Sequence, residues 1–214
     1  MIWLMAGALL AMAGLNAPLA LCALSIAAYQ GAIEPRAPLQ WLGEPWFIGL
    51  TFALLIIQLL ADLYFVPITV RDRSYLNPYR THNNYLHARV QSLYRPLAGA
   101  VIAAALPLPL ADWIAAIAGW SIAMGGYWLS AWIREYVAVM RGAIVLLTIE
   151  TLKNALLLSV AMLVFWLPPL ALLLIVALVA PVVGWTLRLK QEYTRALIDG
   201  GQRVSEDPRV VRSD

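Results

Sequence analysis

The sequence predicts an all-α integral membrane protein of about six transmembrane helices, with an inverted repeat of three helices plus three. Three observations carry that reading. Of 214 residues, 62% are hydrophobic and 13% charged, with a mean hydropathy of +0.76; soluble domains run at about 45–50% apolar and about 25% charged. The apolar residues fall in long runs interrupted by prolines and polar patches. The basic residues gather in a few segments between or after those runs. One water-soluble core of this size cannot cover so much apolar surface, which excludes a cytosolic enzyme, a secreted disulfide scaffold and a disordered binder.

A bilayer core of about 30 Å takes roughly 20 apolar residues per helix. Ile2–Ala28 is the first span, kinked or ended early where Asn16 and Pro18 interrupt it. This run has no charge and no basic leader and is too long for a signal-peptide core, so it reads as a retained span. Trp46–Pro67 is the second span, broken only by Gln58 and Asp62. Pro96–Ile133 holds one charge, Asp112, just after Leu106-Pro107-Leu108-Pro109-Leu110, and divides into a short third span, 96–110, and a fourth, 112–133. Pro168-Pro169 divides the remainder into a fifth span near 140–166 and a sixth near 169–187. Tryptophans 3, 41, 46, 113, 128, 132, 166 and 185 mostly fall near span ends, as interfacial anchors do.

With six spans, every Lys and Arg except Arg36 and the intramembrane Lys153 lies on one side: five in the 71–95 loop, Arg134 and Arg141, and six in the tail. Basic residues near span ends favour the cytoplasm, so both termini are expected there, in a bacterial inner membrane. The opposite side keeps Arg36 with Glu34, Glu44 and Asp112. Cys22 is the single cysteine, so no intrachain disulfide forms, and the large Leu21 before it rules out a lipidation box.

The repeat rests on three matches in the same order. Ala6–Gly14 aligns without gaps on Ala118–Gly126, Leu54–Asp62 on Leu146–Asn154, and Pro96-Leu97-Ala98 on Pro169-Leu170-Ala171. The units are residues 1–110, including the basic 71–95 loop, and 111–187, followed by a charged tail, 188–214. Three helices being an odd number, the second unit would be inverted, a common transporter build with its site between the halves. Gly7, Ala11 and Gly14, like Gly119 and Ala123, put small residues at helical spacing for close packing.

Ionisable groups within spans are costly and mark interior or water-filled paths. Gln58 and Asp62 share one helix face, and Glu150 and Asn154 repeat that spacing with Lys153 beside them. With Arg95 at the head of the third span, these six residues are the candidate substrate or ion site between the second and fifth spans. The bland alternative is an internal salt bridge, Asp62 with Arg95 or Lys153, that only fastens helices. A second open point is the depth of Glu150: a fifth span starting at Thr148 leaves it an interfacial partner of Lys153 one turn away, a longer span buries it.

Gln58-Leu59-Leu60-Ala61-Asp62, an arginine-rich loop and then Arg95-Pro96-Leu97-Ala98-Gly99-Ala100 resemble the bacterial membrane family labelled domain of unknown function 4126. That family shows Glu-x-x-Ala-Asp-Lys, a proline and Arg-Pro-x-Ala-Gly, and its opening Gly/Ala helix resembles Gly7 to Leu19. Here Gln58 replaces the glutamate and Leu63 the lysine, which puts a proton- or cation-coupled role of that face in doubt. The resemblance implies a polytopic membrane fold and no activity.

The 71–95 loop interleaves five arginines with Tyr75, Tyr79, Tyr85 and Tyr94, a pattern that beside two spans fits anionic lipid headgroups better than nucleic acid. His82 and His87 are five apart, off the same-face spacing of a helical metal pair. No metal site, cofactor or catalytic motif is found, and the balance is against an enzyme. The function expected is a small transporter, channel or lipid translocator; the alternative is a non-catalytic structural or accessory subunit of a membrane complex. A homo-oligomer or larger complex is the expected partner context.

Overall fold

The computed structural model describes residues 1–71, 82–141 and 143–206. Among these every regular element is helical. They are α1 (Ile2–Leu15), α2 (Ala17–Tyr29), a 3-10 segment (Ala37–Gly43), α3 (Pro45–Arg71), α4 (His82–Ala105), α5 (Asp112–Arg141), α6 (Ala143–Leu163) and α7 (Pro168–Glu206). Three helical stretches are long and apolar enough to cross a membrane: Asp112–Arg134, Ile144–Leu163 and Pro168–Glu192. A fourth results if the 3-10 segment and Pro45–Ala61, bent by 65°, count as one.

The expected apolar runs fall largely in helices, with three corrections; the fifth, near 140–166, begins in the last residues of α5 and its helix α6 ends at Leu163. Residues 82–95, expected in the basic loop, form the first half of α4, and the short third span 96–110 is the second half of that helix, which ends at Ala105. Pro96 sits inside α4, where its missing N–H removes one bond without ending the helix. The charged tail begins as a continuation of α7, which runs past Gly200-Gly201 to Glu206. The remainder of the basic loop, 72–81, lies outside the described residues.

The break in the first run has a local cause. Pro18 has no N–H to give to the carbonyl four residues back, Gly14. Asn16 turns extended (φ −154°, ψ 93°), and its side-chain oxygen accepts from Leu19 N, capping α2 with Pro18 in the first turn. Both halves are buried: from Ala8 to Leu24 only Ala11 is partly exposed.

α4 and α5 form an antiparallel pair at near-backbone contact. A Cβ added to Gly99 would stand 2.5 Å from Gly119 O, and one added to Gly14 would stand 2.8 Å from Ala123 O and Gly126 Cα. The small-residue faces of Gly14, Gly119 and Ala123 thus serve close packing, whereas Gly7 has open space beside it.

Arg36 defines one end of the bundle. Its N–H donates to Ala105 O (3.1 Å), and its guanidinium binds the Asp112 carboxylate, Leu108 O and Leu110 O. The opposite end carries a small separate core of Val137, Leu146 and Leu189, closed by Arg141 and Glu192 at 3.5 Å.

Candidate functional site

The polar side chains at the bundle centre come from four helices. On α6, Glu150 is 4% exposed and so buried among the helices, seven residues into α6 from Ala143. Its carboxylate accepts from Arg134 Nε (2.8 Å) and Nη2 (3.2 Å) on α5 and pairs with Lys153 one turn on. An isolated buried carboxylate would be expensive, and two cationic donors offset that desolvation.

One turn beyond Glu150, Asn154 Oδ1 accepts from Asn16 Nδ2 at 3.1 Å. Arg95, 1% exposed, donates from Nε to Gln91 Oε1 (2.7 Å) and from Nη1 to Gly14 O (3.0 Å), with its guanidinium 5.6 Å from the Tyr127 ring centre. The chain of cause is short: Pro18 leaves the Gly14 carbonyl without its helical partner, and Arg95 supplies a charged one at the negative end of α1.

Gln58 on α3 reaches the same level by register. Gly43 packs on Ala28 and Cys22 lies beside Thr51, so α2 and α3 run antiparallel and Asn16 falls within a turn of Gln58. The Gln58 side chain is 4% exposed, and neither Oε1 nor Nε2 has a hydrogen-bond partner among the described residues. The Tyr94 and Ser25 hydroxyls are likewise buried without one.

Of the six expected site residues, Glu150, Lys153 and Asn154 share one stretch of α6, Arg95 meets the break between α1 and α2, and Gln58 stands at the level of that break by helix register alone. Asn154 bonds Asn16 rather than Gln58. The Asp62 and both histidine side chains lie outside the described residues, and so do the proposed Asp62 salt bridges. Two contributors went unassigned in the sequence. Asn16 reads there only as an interruption, although Asn-Ala-Pro is a cap followed by a first-turn proline. Arg134 reads there as an interfacial charge.

A small, partly open cavity of about 40 Å³ lies beneath the break, its surface almost wholly apolar (Leu15, Ile133, Ile149, Leu178, Val179 and Val182), with Ser130, Glu150 and Lys153 at its border. Among the described residues no group of His, Cys, Asp and Glu is placed to hold a metal ion.

Apolar helices around a buried polar centre define the class: a helical bundle of membrane type. The family described as Domain of unknown function (DUF4126) matches residues 3–70, the stretch from α1 to the end of α3 that carries Gln58 and Asp62. It is the family that the sequence motifs resemble. No curated protein and no solved structure matches the chain.

Proposed function

We propose that this chain is a multi-pass inner-membrane protein that moves a small polar solute, an ion or a lipid headgroup through the polar centre between α3 and α6. The observation that carries this reading is Gln58, whose donor and acceptor are both buried and, among the described residues, unpartnered, at the level of a helix break. An orphaned amide costs roughly 1–3 kcal/mol, and a path that admits water or a polar solute recovers it. Broken helices whose ends face a central site are the recurring device of transporters. The arginine-rich end is then cytoplasmic by the positive-inside rule, with anionic headgroups as partners of the 71–95 segment.

The second reading, a structural or accessory subunit, is favoured by Glu150, whose carboxylate is fully engaged by Arg134 and Lys153. Proteoliposomes separate the two. Protein-dependent flux of protons, potassium or a fluorescent phospholipid, lost in Asp62→Asn or Gln58→Leu at normal yield and folding, supports transport. No flux above empty liposomes for any of the three, with Asp62→Asn lowering thermal stability and a change at its basic partner restoring it, supports the structural reading.

A further inference from the structure

We infer that α1 and α2 form a re-entrant hairpin: both arms run to the Arg36 end of the bundle, and the tip at Gly14–Asn16 roofs the cavity that faces the other end. The inference rests on the membrane reading above and adds the identity of the barrier across that path.

The depth of the tip follows from its contacts. Gly14 packs on Gly126, which stands fourteen residues, roughly 21 Å, inside α5 from Asp112. Leu15 borders the cavity with Ser130 and Lys153. From that depth the 13 residues of α2 rise roughly 20 Å, enough to return the chain to the Arg36 end, where Tyr29 and Gly43 lie.

The 14 residues of α1 cover a similar distance, so its direction decides the topology. Continuing straight across, α1 would fill the space below Asn16 and lie along the small core at the far end. The cavity opens in that region, and of the residues lining it only Leu15 belongs to α1. Among the described residues no α1 side chain packs on Val137, Leu146 or Leu189. The α1 residues Ala6, Ala8, Leu9 and Met12 belong instead to the main core, with Ile102, Leu106, Ala171 and Ile175, and Ile2 and Met5 pack against it. Arm lengths agree, since neither α1 nor α2 reaches the roughly 20 residues of a full span.

A hairpin entering from one face makes the tip, rather than a crossing helix, the partition between the cavity and the opposite side. It is held there by Asn154 on Asn16 and Arg95 on Gly14 O. It also places Met1 on the face opposite the C-terminal tail, against the cytoplasmic N-terminus that a straight first span implies.

Impermeant maleimide labelling of oriented membrane vesicles tests this in a Cys22→Ala background, with single cysteines at the exposed positions Trp3→Cys, Gln40→Cys and Gln191→Cys. Labelling of Trp3→Cys from the Gln40→Cys face, opposite Gln191→Cys, is the expected result. Labelling of Trp3→Cys from the Gln191→Cys face overturns the hairpin. A protease-cleavable epitope ahead of Met1 reads the same sidedness should residue 3 react from neither face. Failure of the membrane reading itself looks different: Gln40→Cys and Gln191→Cys would then label from one side.

Discussion

Gly119 and Gly7 are both helical glycines, yet they answer to opposite forces. Gly119 stands against Gly99 O and Ala103 Cβ, so any added methyl must separate α4 from α5. Gly119→Ala should lower stability by about 1–3 kcal/mol, read as a fall in melting temperature in detergent. Gly7→Ala, with nothing within 4 Å of the new methyl, should be neutral or stabilising by up to about 1 kcal/mol. Charge follows the same logic at Glu150. Glu150→Gln leaves Arg134 and Lys153 without their shared carboxylate and should destabilise by about 3–5 kcal/mol. A double-mutant cycle with Lys153→Met should return a coupling energy well above the few tenths of a kcal/mol expected of independent sites.

At the scale of the helices, Asn16 carries two separable tasks, capping α2 and anchoring on α6. Asn16→Ala loses both and should destabilise by about 1–2 kcal/mol, while Asn16→Ser keeps an uncharged acceptor for Leu19 N and loses the donor to Asn154. Thermal melts ordering the variants wild type, Asn16→Ser, Asn16→Ala would agree; equal effects would mean the cap contributes nothing. The helices themselves were legible because apolar length and proline punctuation are local signals. So were the small faces of Gly14 and Gly119. The first half of α4 was not: its Arg89 and Arg95 with Gln91 read as loop, and only the tertiary setting shows that Arg95 is drawn inward by the carbonyl Pro18 leaves free. Arg134 escaped notice for a related reason. Nothing local distinguishes an arginine that anchors at a headgroup from one that turns back onto Glu150.

For the molecule as a whole, charge asymmetry and the Arg36 latch place the connections near residues 36 and 108 at one end and the α5–α6 junction at the other. Reporter fusions at residues 40, 82, 138 and 205 should read outside, inside, inside and inside. An outside signal at 82 would reverse the arrangement. An inverted three-plus-three repeat would require the α1–α2 unit to cross as α5 does, and the break at Asn16 has no counterpart in the continuous α5. The hairpin therefore competes with that repeat for the same residues, and the sidedness of Met1 chooses between them.

Transport through the bundle requires that water or solute reach the polar centre. Ser130→Cys and Leu157→Cys, in the Cys22→Ala background, place thiols at two positions of similar burial, 5% and 0% exposed, one bordering the cavity and one in the apolar core. Their rates of reaction with a small charged methanethiosulfonate added from the cytoplasmic face of vesicles are the measurement. A path through the centre predicts modification at 130 at least tenfold faster than at 157; equal protection of both thiols would contradict it.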